Sequence, residues 1–397
     1  MGKSKVLNYS GGKVNFPKIS PAQRITSGPK EHLLANYYGI NPFDSKERYL
    51  MVLETSIQDH NPKTSEAATL GIVDLKDNNK FIPLTKTYSW NFQQGCMLHW
   101  LSDELIIYND RRSGKFVSII RNIFAEEEKI IPYPISAVTP DRKFAISINF
   151  ARLHITRPGY GYAGEGQNAR LDKAFPTNDG LFLIDLNSGK SKLILSIAEV
   201  KKLVPPLPEN SIEYFNHTLF NKDGSRIFFL ARCSPGPRNT VAFTINREGT
   251  NLCPVFPEGW GGSHFDWLTS KKLMITCKFQ GKKWTHVLFT DGKKDYQILG
   301  GGMLSDGHGT FSPNKKWMVT DTDPDELRMQ TLILMDMTTN ALLPLGRFYE
   351  PPKFKDSWRC DLHPHWSPKS DMIAFNSTHE GTRQVYVISL EEGNSPL

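Results

Sequence analysis

The chain has 397 residues, which is long enough for two or three average domains or for one large all-β ring. With 39% apolar and 11% aromatic residues, its composition is typical of a folded protein and excludes general disorder. No apolar run approaches the roughly 18 residues that a membrane-spanning helix needs, and residues 1–15 lack the apolar core of a signal peptide. We therefore expect a cytoplasmic or periplasmic protein with no membrane partner.

The net charge of +7 suggests an anionic partner. The chain has no dense Lys/Arg block and no zinc-finger spacing, so we do not expect nucleic acid; an acidic oligosaccharide or polysaccharide fits at least as well. A modest basic surplus can also serve solubility alone. The five cysteines are an odd number without CxxC spacing, which argues against a disulfide framework. We expect a monomer.

A weak internal repeat organises the chain, and its first part is a turn followed by an apolar strand. In chain order these first parts are Asn41–Glu54, Leu101–Asp110, Thr139–Ile148, Asn221–Ala231, Trp267–Cys277, Ser312–Asp321 and Ser367–Asn376. Each is followed by a second alternating strand. These second strands are Leu70–Leu75, Phe116–Arg121, Gly180–Leu186, Val241–Asn246, His286–Thr290, Leu332–Met337 and Gln384–Leu390.

Seven such pairs predict an all-β fold, a seven-bladed β-propeller of four-stranded antiparallel blades. Two β-sandwiches would not explain seven similar turn-and-strand units. We expect one domain over residues 1–397, with loop insertions at about 151–178, rich in Gly and Tyr, and at about 201–210, stiffened by prolines. The first 40 residues or so should add a strand that closes the ring onto the last blade.

The sharpest local motif lies near the C-terminus, where Cys360 is followed at three and five residues by His363 and His365. In a strand, residues i and i+2 point to the same face, so both imidazoles can reach one ion. The motif therefore predicts a divalent metal site. A thiolate among imidazoles favours zinc over manganese, although Cys360 could also be a small buried apolar residue.

With the repeat and this cluster, the chain resembles the oligogalacturonate lyases, which are seven-bladed propeller polysaccharide lyases, and more distantly the propeller ulvan lyases. In the first family a Gln-x-x-His-x-His run and one upstream histidine bind manganese. The resemblance implies that His308, His363 and His365 are metal ligands, with Cys360 in place of the glutamine. It also implies that the chain cleaves uronate glycans such as pectin by β-elimination.

The same resemblance implies a catalytic base at His264, which precedes His308 by a spacing like that of the family's base. The family's catalytic arginine has only approximate counterparts here, Arg232 and Arg238. In this first arrangement the metal and an arginine neutralise the uronate carboxylate, and His264 removes the neighbouring proton.

A second arrangement, similar to the His/Tyr/Arg sites of ulvan lyases, leaves the metal structural. Its catalytic groups are His154, Tyr160 or Tyr162, His217 and Arg232. A third possibility is a non-catalytic propeller that binds or scaffolds, since this fold serves many functions. A serine-peptidase propeller is disfavoured, because the chain has no G-x-S-x-G motif.

Two further expectations concern residues outside these motifs. Four histidines, His32, His60, His286 and His379, are expected at the surface. The acidic run 321–325 contains three aspartates but lacks the glycine and distal glutamate of an EF-hand loop, so we expect an ordinary turn there.

Overall fold

A computed structural model describes residues 15–34, 37–164, 168–235, 240–257, 259–302 and 304–391. Within these residues, 29 strands form seven antiparallel sheets. Six sheets have four strands in sequence order, and the seventh is completed by two short strands from the N-terminal segment. The predicted seven-bladed β-propeller is confirmed.

The first three blades use twelve strands. They are β3 (Glu31–Leu34), β4 (Tyr49–Thr55), β5 (Ala68–Asp74) and β6 (Lys80–Thr87); β7 (His99–Trp100), β8 (Leu105–Arg112), β9 (Lys115–Asn122) and β10 (Glu128–Ile131); β11 (Ala137–Val138), β12 (Phe144–Ser147), β13 (Gly180–Asp185) and β14 (Ser191–Ser196).

The next three blades use another twelve strands. They are β15 (Ile212–Phe220), β16 (Arg226–Ser234), β17 (Val241–Asn246) and β18 (Cys253–Pro254); β19 (Gly262–Trp267), β20 (Lys272–Phe279), β21 (Lys283–Thr290) and β22 (Tyr296–Ile298); β23 (Thr310–Phe311), β24 (Trp317–Thr320), β25 (Met329–Asp336) and β26 (Leu342–Tyr349).

The seventh blade joins the two ends of the chain. It contains β27 (His365–Trp366), β28 (Met372–Ser377) and β29 (Gln384–Glu391), together with β1 (Lys18–Ile19) and β2 (Gln23–Arg24). Both N-terminal strands pair antiparallel with β29. The predicted closing strand is thus present, and it ties the N-terminal segment to the last blade through backbone hydrogen bonds.

The predicted strand pairs correspond to the second and third strands of each blade. These strands are sandwiched between neighbouring blades, and their side chains are largely buried, as in β16, where only the last residue is partly exposed. The first strand of each blade lies innermost, as in other propellers, and in blades two, three, six and seven it has only two residues.

A recurring turn joins the first strand to the second, and its leading residue caps the turn with its side chain. Ser312 Oγ donates to the carbonyl oxygen of Trp317 at 3.0 Å, and Asn221 Oδ1 accepts from the backbone N–H of Arg226 at 3.0 Å. The fourth residue of these turns has positive φ, which is 62° at Lys315 and 73° at Gly224. Ser-Pro and Asn-x-x-Gly repeats supply these conformations.

The predicted loop at 151–178 is wrong at its start, where α1 (Phe150–Thr156) forms. Asn149 caps this helix by accepting the N–H of Arg152 at 2.9 Å. The buried Arg152 guanidinium then binds carbonyl oxygens of Glu213 and Arg170 and fastens the insertion to blade four. Within the described residues α1 is the one α-helix, and none is long and apolar enough to cross a membrane.

In the described residues, short 3-10 helices span Ile197–Val200 and Asp356–Trp358. Residues Gly300–Gly302 form a tight turn in which all three glycines have positive φ. Residues 201–210, predicted as a loop, contain neither helix nor strand.

Candidate active site

A cavity of ≈ 1010 Å³ opens at one end of the inner strands of the late blades. Six of the residues singled out from the sequence line it: Tyr160, His217, Arg232, His264, His308 and His363. Both arrangements suggested by the sequence therefore contribute to one and the same cavity.

Imidazoles from three successive blades meet at the floor of this cavity. The ring centres of His264 and His308 are 4.0 Å apart, and those of His308 and His363 are 4.4 Å apart. His365 stacks on His363 with ring centres 5.2 Å apart. The inner strands β19, β23 and β27, or the residues just before them, bring these side chains to the axis of the ring.

Tyr38, a residue that the sequence analysis did not select, lies at the centre of this histidine cluster. It follows β3 and is buried, with its ring 4.1 Å from that of Phe265 and 5.0 Å from that of His363. Its hydroxyl makes a short hydrogen bond to Nδ1 of His264. Burial and nearby carboxylates raise the pKa of Tyr38 well above its usual value, so Tyr38 is a neutral phenol that can donate or accept in this bond, according to the tautomer of His264.

The other nitrogen of His264 contacts a carboxylate. Its Nε2 lies 3.3 Å from Oδ1 of Asp306, which also lines the cavity. Burial and the neighbouring His308 lower the pKa of His264, so the ring is neutral near pH 7. A neutral imidazole is the form that can accept a proton.

His308 is fixed by the buried carboxylate of Asp321. Asp321 Oδ1 accepts both the backbone N–H of His308 at 2.6 Å and its ring Nδ1–H at 3.0 Å, and Oδ2 accepts the backbone N–H of His363 at 2.8 Å. Although burial lowers the pKa of His308, the Asp321 carboxylate outweighs burial and raises this pKa to about 9. Asp321 thus favours positive charge at this position and leaves Nε2 directed away from it.

The donor set of the cluster suits a divalent metal ion. Because His308 uses Nδ1 for Asp321, and His365 is hydrogen-bonded to the backbone of Ile40, each has one ring nitrogen left for a ligand. Nε2 of His365 is buried and has no hydrogen-bond partner among the described residues. As the side chains stand, no three His, Cys, Asp or Glu groups in the described ranges are placed to hold an ion, so binding requires the rings to rotate.

Cys360 lies outside the described lining of the large cavity. Its Sγ is 4.0 Å from the carbonyl oxygen of Asp361, and its backbone N–H donates to Glu350. Burial raises the pKa of the Cys360 thiol to about 12. The side chain of the next residue, Asp361, does line the cavity, with Oδ2 3.9 Å from Nε2 of His308.

The opposite wall of the cavity holds Tyr160 between two guanidinium groups. Cζ of Arg157 lies 4.0 Å above the Tyr160 ring, and Arg359 Nη2 donates to the Tyr160 hydroxyl at 3.3 Å. Gln93 Oε1 accepts from that hydroxyl at 3.1 Å. Burial raises the pKa of Tyr160, but Arg157 and Arg359 outweigh it and lower this pKa to about 7.

Of the remaining predicted residues, Arg232 and His217 line the cavity and His154 is not among its described lining residues. Arg232 is buried, donates from Nε to Thr240 and from Nη2 to the carbonyl oxygen of Gly262, and lines the cavity. His217 lines it as well, 3.3 Å from the Tyr37 hydroxyl. Among the described lining residues His154 is absent; it lies half-buried on α1.

Two candidates fall elsewhere. Tyr162 is packed in the core against Phe150, with ring centres 4.5 Å apart. Arg238 lies outside the described residues.

Three expectations about other polar residues are wrong. His32 and His286 are buried rather than at the surface, and His286 Nε2 is 2.9 Å from Thr320 Oγ1. The run 321–325 is not merely a turn, because Asp321 is the carboxylate that orients His308. His60 and His379 are half-buried.

Comparison with solved structures places this site in context. An oligogalacturonate lyase from Vibrio parahaemolyticus superposes with a TM-score of 0.65 at 14% identity, over 94% of this chain and 98% of the other. An oligogalacturonate lyase in complex with manganese gives a TM-score of 0.67 at 16% identity, over 96% and 99%. The chain has the fold of the oligogalacturonate lyases.

Other propellers share this fold more loosely. A prolyl endopeptidase superposes with a TM-score of 0.51 at 8% identity, over 92% of this chain and 50% of the other. No family model matches the chain, and no curated protein matches it in sequence. The likeness to these structures therefore establishes the fold, and chemistry has to be argued from the site.

Proposed function

We propose that the protein is a lyase that cleaves an anionic, uronate-containing oligosaccharide or polysaccharide by β-elimination. The observation that carries this proposal is the convergence of His264, His308 and His363 with Tyr160 and Arg232 in one open cavity. The shared fold with oligogalacturonate lyases supports it.

The reaction begins with removal of the proton on C5 of the uronate, next to its carboxylate. His264 is the base, because its lowered pKa keeps it neutral and it lies at the cavity floor. For Nε2 to receive the proton, Nδ1 carries the ring hydrogen and donates it to the Tyr38 hydroxyl oxygen, and Asp306 gives way to substrate.

The leaving group requires a proton at its oxygen. The electron pair of the C5–H bond becomes the second bond between C4 and C5. As it does so, the C4–O bond breaks and Tyr160 donates its phenolic proton to the departing oxygen. The two guanidinium groups beside Tyr160 stabilise the phenolate that remains. Arg232, which also lines the cavity, would hold a substrate carboxylate.

His308, His363 and His365 would hold a divalent ion, with the Asp361 carboxylate 3.9 Å from Nε2 of His308. When bound there, such an ion supplies positive charge that neutralises the uronate carboxylate and makes the C5–H bond more acidic. A Cys360 thiolate would favour zinc, but Cys360 is not among the described residues that line the large cavity, and imidazole and carboxylate donors accommodate manganese as well.

A non-catalytic binding propeller is the second candidate. It is favoured by one observation, namely that both ring nitrogens of His264 already have partners, Tyr38 and Asp306. In that case the cavity would bind an acidic saccharide without cleaving it.

A screen of uronate polysaccharides by ultraviolet absorbance tests the proposal, because β-elimination creates an unsaturated uronate that absorbs. We expect absorbance to rise with at least one polymer, and to do so far more slowly with His264→Ala. Binding of an acidic saccharide without any rise in absorbance, with manganese or zinc supplied, would establish the binding propeller instead.

A further inference from the structure

A second cavity of ≈ 360 Å³ lies at the opposite end of the inner strands. Along β19, Ser263 and His264 line the large cavity, whereas Phe265 and Asp266 line the small one. The same change occurs along the sixth and seventh blades. There Asp306 and Asp361 line the large cavity and not the small one, whereas Thr310 and Trp366 line the small one and not the large one. The two cavities therefore open on opposite faces of the ring.

Tyr38, His308 and His363 line both cavities and form the partition between them. The Tyr38 ring lies 5.0 Å from the His363 ring, and the His308 ring lies 4.4 Å from it. Rings at these separations are in van der Waals contact, so in this arrangement they leave no gap for a hydrated ion. A solute that enters one cavity meets these rings before it can reach the other cavity.

His365 lies on the side of the small cavity. Its Nε2 is buried and has no hydrogen-bond partner within the described part of the chain, and of the two cavities only the small one has His365 in its lining. His365 is absent from the described lining of the large cavity, and the rings of Tyr38 and His363, which line both cavities, separate the two.

We propose that the metal ion and the saccharide enter the site from opposite faces of the ring: the ion through the small cavity, past His365, and the saccharide through the large one. This inference rests on the proposed function only through the ligand set His308, His363 and His365. It predicts that ion exchange continues while a saccharide occupies the large cavity.

The mouth of the small cavity offers a sharp test, because two exposed lysines, Lys222 and Lys315, line it. Lys222 is paired with Asp266 at 3.3 Å, which leaves Lys315 as the simpler position to change. Its positive charge slows the approach of a divalent cation. The large cavity has a matched exposed residue in Lys278.

The experiment follows uptake of Mn²⁺ by chelator-treated protein, from the loss of the electron paramagnetic resonance signal of the free ion. Lys315→Glu should speed uptake several-fold at low ionic strength, and salt should abolish the gain. Lys278→Glu, with the same change in net charge, should leave the rate unchanged. Uptake that the wild type shows and His365→Ala lacks is the uptake at the proposed site.

An acidic oligosaccharide at a saturating concentration should also leave the rate of uptake unchanged. The inference is overturned if Lys278→Glu speeds uptake as much as Lys315→Glu, if neither does, or if the oligosaccharide blocks uptake. Failure of the wild-type protein to take up manganese or zinc overturns it as well. The absorbance screen on the same preparation decides separately whether the protein is a lyase.

Discussion

The acid role of Tyr160 predicts how activity changes with pH and how one substitution moves that change. The pKa of Tyr160 is about 7, and the acid must carry its proton, so turnover should fall as pH rises through this value. Arg157→Gln removes one of the two guanidinium groups that stabilise the phenolate. The alkaline fall should then move to higher pH.

The size of this movement follows from the geometry. Cζ of Arg157 is 4.0 Å from the centre of the buried Tyr160 ring. Unit charges about 4 Å apart interact by about 4 kcal/mol at an effective dielectric constant of about 20. One pKa unit corresponds to about 1.4 kcal/mol, so loss of the Arg157 charge can raise the pKa of Tyr160 by at most about three pKa units. We expect a rise of about two pKa units, because Arg359 remains and water enters where the Arg157 guanidinium was.

The assay is the rate of absorbance increase with saturating polymer as a function of pH, for the wild type, Arg157→Gln and Tyr160→Phe. The phenylalanine variant is the control, because its residual activity should lose the alkaline fall. Tyr160 can also be titrated directly by nuclear magnetic resonance of labelled tyrosine. An alkaline fall that stays in place in Arg157→Gln while the Tyr160 titration moves would refute the acid role.

Three further predictions address stability and positioning. Asp321→Asn should lower the free energy of unfolding by about 3–5 kcal/mol, because it leaves His308 buried without its carboxylate partner. Urea unfolding measures this change, and a free energy of unfolding equal to that of the wild type would contradict a stabilising role for the pair. Burial raises the pKa of Glu213 to about 8 in the folded protein. Because the unfolded chain loses this proton at lower pH, Glu213 destabilises the fold increasingly as pH rises from the ordinary glutamate pKa to about 8. Glu213→Gln should remove that decline, worth at most about 5 kcal/mol, as thermal melts at pH 5 and 8 can check. Tyr38→Phe should lower kcat with little change in KM, because only the hydrogen bond to His264 is lost; unchanged kcat would show that Tyr38 merely fills space.

The second and third strands of the blades could be predicted because burial between neighbouring blades imposes long apolar and alternating patterns. The inner strands could not, since segments such as His99–Trp100 and Thr310–Phe311 are too short to show any periodicity. The helix at 150–156 was missed for a related reason. It is one short element within a Gly/Tyr-rich insertion, although Asn149 offered a capping signal.

The histidine cluster could be anticipated because His264, His308 and His363 recur near the start of successive repeats. Tyr38 could not, because its contacts with these rings arise only when the ring closes. A signal for Asp321 does exist in the repeat. A polar residue ends the second strand of several units, and in the structure Asn376 and Asp321 both accept a backbone N–H from a neighbouring blade segment.

The central claim is that the protein catalyses a β-elimination in the large cavity, with His264 as the base. Mass spectrometry of the products from an oligogalacturonate incubated with the metal-supplied protein tests it most directly. We predict pairs of fragments in which one carries an unsaturated end and is lighter by one water than the corresponding hydrolysis product, and we predict that His264→Ala forms almost none. Fragments that have all gained water, or equal yields from the wild type and His264→Ala, would contradict the claim.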